Sequence, residues 1–452
     1  MKPMHIQEAA KAIGSNTNAQ GTFQEVSTDT RALPKGCLFV ARKGERLDSH
    51  AYIADALEQG AAFALAEKEL YRRDDRILYV KSTRQALLDL ARYYRSQFSI
   101  KMVGVTGSVG KTTTKEMIYA VLSSSFCTLK NEGNLNTEVG LPMTLLQLDG
   151  RHQAAVVEMG MDSLGEIEDL TLCAQPDVGV ITNVGVSHLE KLGSRENIRK
   201  AKLEITRGLR NGSPLILCKD NDMLRTVDIP RLQVIFYGIE DETADITAHH
   251  IQELGQDTSF MIQYQGQWYP ARIPCLGRHN VYDALAAFGV GVSLGISPMQ
   301  AAEALSNYAP AGMRQRVSQC KGMTFVEDCY NASPDSMSAA LKTLQQMACK
   351  GRRIAVFSDM LELGEIEQES HHQVGLEAAE HGVDLLLAYG PLSKEYLRGA
   401  QEGGLTEAQW FESADDLAAY LQECLRPGDL VWFKASRGMQ MERVIEQLRA
   451  HI

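Results

Sequence analysis

No C-x-x-C pair occurs among the nine cysteines of this 452-residue chain. That scatter argues against a disulfide framework or a structural zinc site and fits reduced thiols in a cytosol. No apolar run approaches the roughly 20 residues that cross a bilayer, so no membrane span is expected. The opening MKPMHIQEAAKAIG lacks an apolar core followed by a small-residue cleavage site, and reads as the start of a helix rather than an export signal. Basic residues are in deficit, 46 against 57 acidic ones, and form no cluster; the net charge of −11 repels polyanions, so nucleic acid is not an expected partner. A single nucleotide escapes that exclusion, because a local glycine loop and one lysine hold phosphates whatever the overall charge. Internal repeats and low-complexity tracts are also missing. What remains, 44% hydrophobic and 23% charged, is the composition of an ordinary globular protein.

A chain of this length exceeds what one hydrophobic core usually supports, and two or three domains are expected. The first hundred residues alternate short strand-like runs (GCLFVA, AAFALA, RILYV) with helical patterns such as His50 to Gln59, and close on the helix-like STRQALLDLARYYRSQF. From Lys101 the runs KMVGV, AAVVEM, VGVIT and PLILC alternate with amphipathic stretches, the pattern of a parallel sheet wrapped by helices. Residues 245–273 switch to alternating segments that predict antiparallel strands on the edge of that sheet. A helical stretch from Val281 to Tyr308 leads to the linker-like APAGMRQR, after which MTFVED, RRIAVF, VDLLLAY and DLVWFKA form a third βα series. The expected architecture is therefore α/β with three domains: a small N-terminal module over 1–98, a central phosphate-loop domain over 99–313 and a C-terminal domain over 314–452, hinged near Ser99 and Met313. The last unit carries no G-x-G-x-x-G fingerprint, so describing it as Rossmann-like rests on analogy.

KMVGVTGSVGKTTTKEMI is an apolar strand, a glycine loop and a helix start, the context of a phosphate cradle formed by Thr106, Gly107, Ser108, Val109, Gly110, Lys111, Thr112 and Thr113. Glycines admit phosphate oxygens to backbone N–H groups, Lys111 adds a point charge and Thr112 a hydroxyl for magnesium. The spacing departs from G-x-x-x-x-G-K-T, since position 105 is Val and Gly104 lies one residue too far. AAVVEMG ends a strand on Glu158, a candidate magnesium ligand, although a strand-end glutamate can equally cap a helix. VGVITNVGVSHLE brings His188 to the same sheet edge. Lys202, within NIRKAKLEITRGL, reads from its surroundings as a solvated surface lysine.

Taken in order, TGSVGKTTT, Glu158, TNVGVSHLE, the A-K-x-E of Ala201 to Glu204 and GRHNVYDALAA resemble the successive motifs of the Mur ligase superfamily, and the resemblance covers essentially the whole chain. It implies that ATP and Mg2+ are bound, with Glu158 and His188 on the metal, Lys202 carbamylated as a further anionic ligand and Asn280 on adenine. The third domain is similar to that of members adding D-alanyl-D-alanine, through EDCYNASPDSMSAAL, FSDMLELGE and FKASRGMQMERVI. By resemblance Arg314 and Asp328 reach the nucleotide, Tyr330 and Asn331 line its side of the cleft, and Asp359, Lys434, Ser436 and Arg437 meet substrate. STDTRALPKGCLFVARKGERLDSH is similar to the superfamily's UDP-sugar module, which points to Thr30, Arg31 and Lys43. NEGNLNTEVGLPMTLL adds Asn134, Asn136 and Thr137, with Thr137 replacing the second of a paired asparagine and Ser163 a usual histidine.

The expected reaction joins D-alanyl-D-alanine to UDP-N-acetylmuramoyl-tripeptide through an acyl phosphate in a cytoplasmic monomer. Alternatives are another Mur-type or folylpolyglutamate-type amide ligase, a phosphotransferase that stops at phosphorylation, and a nucleotide-gated binding protein. The hundred residues ahead of the phosphate loop disfavour the folate type, in which that loop comes almost first.

Overall fold

A computed structural model describes residues 1–44, 47–67, 74–310 and 312–451. In the first segment the strands Val26–Ser27, Leu38–Val40, Phe63–Ala66 and Ile77–Tyr79 pair in parallel and in chain order. Their short apolar runs are buried almost throughout, as a sheet covered on both faces requires. The helix Thr83–Ser96 starts where the Ser82 hydroxyl accepts the Gln85 N–H at 3.2 Å. Its apolar face, including Leu87, Leu90, Ala91 and Tyr94, packs on the helices Gly140–Leu145 and Glu166–Ala174 of the next segment. The Tyr94 hydroxyl donates to Leu148 O at 2.6 Å, and Arg95 Nε donates to Ala174 O at 3.1 Å. One continuous core therefore runs from Met4 to Tyr308.

The central sheet has nine strands. Lys101–Thr106 lies between Ala154–Glu158 on one side and Val178–Ile181 on the other; Pro214–Cys218 and Gln233–Gly238 continue beyond the latter, and Thr128–Lys130 flanks the former. These strands are all parallel. Because the chain leaves the central strand toward both sides, a crevice opens at the carboxyl ends, where Val105 pairs with Glu158 and Thr106 with Ile181. Ile246–Leu254, Asp257–Tyr264 and Gln267–Ile273 form the expected antiparallel ribbon at the edge. In its outermost strand Pro270 faces Met261 and Trp268 is exposed.

The expected helix from Val281 to Tyr308 is broken into Arg278–Ser293, Pro298–Ala304 and a 3-10 turn over Leu305–Asn307. Gly295, at φ 89°, supplies the left-handed residue past the first helix, and Ser297 caps the second with Pro298 at its first position.

The third sheet runs Arg316–Cys320, Met323–Asp328, Leu430–Lys434, Arg353–Ser358, Leu385–Tyr389, Ala408–Phe411, parallel except for the first strand. Its outermost strands, Arg316–Cys320 and Ala408–Phe411, were not expected from the sequence. Both are only partly buried and lack the continuous apolar run of the inner strands. Alternate residues of the inner strands feed two cores, Ala355, Phe357 and Trp432 on one face and Ile354, Val356 and Phe433 on the other. Among the described residues no helix is long and apolar enough to cross a membrane.

Candidate active site

The carboxyl ends of the central strands meet the third sheet around a cleft of about 770 Å³. At its floor the loop after Lys101–Thr106 turns into the helix Lys111–Ser123. Gly107 and Gly110 take φ 153° and 84°, and a Cβ would fall 1.8 Å from Thr182 Oγ1 at the first and 2.6 Å from Asp283 Oδ1 at the second. Only glycine fits either position. The N–H groups of Ser108 and Val109 both donate to Asn183 Oδ1, at 3.1 and 2.9 Å. Lys111 folds back to donate to Gly107 O at 2.9 Å and Ser108 O at 3.4 Å. Burial pulls its pKa down, with Glu158 opposing.

Glu158 is buried, and its two oxygens accept from Thr112 Oγ1 at 2.7 Å and Asn136 Nδ2 at 2.9 Å. Asn131 holds the strand end from behind: its Oδ1 accepts the Glu158 N–H at 2.9 Å, and its Nδ2 donates to Leu135 O at 2.8 Å. Asp283, on the helix under the loop, accepts from Thr114 Oγ1 at 2.6 Å, and burial raises its pKa to about 7. His188 borders the cleft with Nδ1 3.0 Å from Glu362 and 3.3 Å from Asp162.

Lys202 corrects the surface reading. It is 1% exposed, on the same face of the helix Arg195–Leu203 as Ile198, and no hydrogen bond or ion pair joins its side chain to any described residue. Desolvation first, and the nearby Lys111 second, hold its pKa well below that of an ordinary lysine.

The nucleotide-side residues also gather here. Asn280 Nδ2 donates to Leu276 O at 2.6 Å and Gln315 Oε1 at 2.9 Å; Gln315 in turn reaches His279 at 2.8 Å, whose pKa burial lowers to about 4. Arg314 stacks 3.9 Å from the centre of the Tyr330 ring. Asp328 and Lys434, paired across neighbouring strand ends, are joined at 2.6 Å, and Lys434 also donates to Asn331 O at 3.3 Å. Thr106, Thr113 and Thr137 line the same cleft.

Other expected residues are not brought to it. Arg31 is exposed and forked onto Asp29, whose carboxyl it holds at about 2; Thr30 stays with that turn. Lys43 is exposed on a bridge to Asp48, and its neighbour Arg42 lines the cleft instead. Asn134 is exposed outside the lining. Asp359 is buried in the third sheet's own loops, accepting from Ser393 Oγ at 2.5 Å. Ser436 is likewise buried, accepting the Leu361 N–H at 3.0 Å, and Arg437 pairs with Glu442 at 3.0 Å on the surface.

Three family models match successive parts of the chain: the Mur ligase family catalytic domain over residues 22–95, the Mur ligase middle domain over 105–291, and the Mur ligase glutamate ligase domain over 313–437. A UDP-N-acetylmuramoyl-tripeptide–D-alanyl-D-alanine ligase of Bacillus subtilis (strain 168) is 36% identical, across 98% of this chain and 97% of the relative. The chain belongs to the Mur ligase family. A solved structure of MurF from Acinetobacter baumannii superposes with a TM-score of 0.92 at 31% identity, over 100% of this chain and 99% of that one. MurF from Thermotoga maritima in complex with ADP gives 0.86 at 29%, over 95% and 97%.

In this Mur ligase the donor set suits magnesium. Thr112 and Glu158 place hard oxygens beside the phosphate loop, with the Glu158 carboxylate buried and drawn to hydroxyl and amide donors a cation would replace. Among the described residues no three or more His, Cys, Asp or Glu side chains enclose a metal by themselves. Sequence reasoning passed over Asn131, Asn183, His279, Asp283, Gln315, Glu362 and Arg42. All seven sit inside segments already singled out, so their presence was visible and their direction was not.

Proposed function

We infer that this Mur ligase joins D-alanyl-D-alanine to UDP-N-acetylmuramoyl-tripeptide with ATP, forming the muramoyl-pentapeptide precursor of peptidoglycan. One observation carries the reading: the phosphate loop, Glu158 and His188 at three central strand ends face Asp328 and Lys434 on the third sheet across one cleft. The full-length likeness to ligases named for that reaction supports the substrate pair.

A carboxylate rejects an amine at neutral pH. The γ-phosphoryl of ATP therefore passes to a carboxylate oxygen of the tripeptide, breaking the bond to ADP and making an acyl phosphate. The amine of D-alanyl-D-alanine attacks the acyl carbon, the C–N bond forms, phosphate leaves and the amine proton goes to solvent. Lys111 exchanges its loop carbonyls for phosphate oxygens and offsets their charge. Asn183 gives up the Ser108 and Val109 N–H groups to the phosphates. Asn280, with Gln315 and His279 behind it, faces the base. Arg314 and Asp328 hold the ribose and phosphate end, and the third sheet excludes water from the acyl phosphate.

Magnesium, held by Thr112, Glu158 and His188, would neutralise charge on the transferring group. The partnerless Lys202 amine, which burial holds well below the ordinary lysine range, is suited to add carbon dioxide: an N–C bond forms, a proton leaves, and the carbamate would supply an anionic oxygen for the metal. Three modules, 1–98, 99–313 and 314–452, are supported by the fact that each large sheet draws its strands from one of these stretches. A reducing cytosol is supported by nine unpaired cysteines. The test is ADP release with UDP-N-acetylmuramoyl-tripeptide, with and without D-alanyl-D-alanine. Stoichiometric ADP and pentapeptide only when both are present is the expected result; turnover without the dipeptide, or with glutamate in its place, would overturn the assignment.

A further inference from the structure

The loop after the strand Arg353–Ser358 crosses from the third sheet and meets the turn that carries His188. Oε2 of Glu362 lies 3.0 Å from His188 Nδ1, and that carboxylate forms no other ion pair among the described residues. Asp162 approaches the same nitrogen at 3.3 Å but is claimed by Lys191 at 2.8 Å. The backbone supports the contact independently. Glu362 and His188 take φ 65° and 64°, left-handed values disfavoured for residues with a Cβ, so both partners are held in costly conformations where they meet. Two residues on, a Cβ at Gly364 would stand 3.2 Å from the Glu190 Cα, so the loop abuts the backbone of the helix Leu189–Leu192 closely enough that a side chain there would press on it. The His188 N–H is not yet aligned on either oxygen, as in sites that tighten only when loaded.

We propose that Glu362 is the positioning residue for His188: a carboxylate delivered by the third sheet fixes the imidazole through Nδ1 and leaves Nε2 free for the cleft. Metal binding at His188 and docking of the third sheet then favour each other by the same factor, since coupling between two sites is reciprocal. The proposal rests on the reading of His188 as a metal ligand.

Manganese(II) is the probe, titrated into the full chain with ADP while the resonance signal of the free ion is counted. Glu362→Gln and Glu362→Gly should each weaken its binding by about 10-fold or more, the range found when the partner of a ligating histidine is removed. Glu362→Gly also relieves the left-handed strain, so a role confined to shaping the loop predicts unchanged affinity for that variant and would overturn the proposal. Without metal, amides of residues 188–193 should exchange faster in Glu362→Gly than in the wild type; equal exchange overturns the coupling. If His188→Ala weakens manganese binding while both Glu362 variants bind as the wild type does, Glu362 has no positioning role. If His188→Ala binds normally as well, the metal reading beneath the proposal falls with it.

Discussion

Replacing Asp283 by asparagine should change the stability of this enzyme in a way that depends on pH. The carboxyl is buried against the phosphate loop, accepts one hydrogen bond from Thr114, and has its pKa raised from 3.8 to about 7, chiefly by burial. The folded protein therefore keeps this proton to about pH 7, whereas the unfolded chain loses it near 3.8. The unfolded state binds fewer protons between those values, so the group's contribution to stability falls by about 1.4 kcal/mol per pH unit there and is level above 7. Relative to a carboxyl whose pKa folding leaves unshifted, the cost to stability is about 4 kcal/mol at pH 8 and about 1.6 kcal/mol at pH 5. Asp283→Asn keeps an acceptor for Thr114 and removes the titration. Its stability relative to the wild type should therefore rise by about 2–3 kcal/mol from pH 5 to pH 8, read from urea denaturation of both proteins at each pH. A difference that stays constant across that range would show that Asp283 is ionised throughout, and the argument from burial would be wrong.

Lys202→Met should fold at least as stably as the wild type, because it removes an amine without a partner, yet lose ligation by roughly 100-fold or more. Lys202→Arg should be equally inactive, since a guanidinium does not deprotonate to take up carbon dioxide; normal turnover in either would make the lysine structural. Lys111→Ala should lower turnover by about 100- to 1,000-fold with its circular dichroism unchanged, and near-normal turnover would remove the phosphate-loop assignment. Asn131→Ala, which leaves the buried Glu158 N–H and Leu135 carbonyl without their partners, should cost about 2–3 kcal/mol in denaturation experiments.

The inner strands were legible because a parallel sheet buried on both faces writes itself as continuous apolar runs; Lys101–Thr106 and Leu430–Lys434 are examples. Arg316–Cys320 and Ala408–Phe411 were not, since edge strands need no such run. In the site, the strand-end argument brought Glu158 to the cleft, and the resemblance brought Asp328 and Lys434. The same reasoning does not say which way a side chain turns, and Asp359 and Ser436, also just beyond strand ends, face inward to tie loops together. At the N-terminal module the misplacement is a single residue: neighbours point to opposite faces of an extended segment, so Arg42 meets the cleft and Lys43 does not. Lys202 was hidden by charged neighbours, and only its four-residue spacing from Ile198 records the face it shares.

The nine-stranded sheet has two ends, and an open strand edge is a template on which another chain can pair and seed aggregation. At one end Thr128–Lys130 is only three residues long, and its Lys130 is tied to Glu116 at 2.5 Å. At the other, Gln267–Ile273 carries Pro270, which has no N–H to offer, and the exposed charge of Arg272. A broad sheet that must stay dispersed in a crowded compartment thus ends, on both sides, in strands ill-suited to recruit a neighbour.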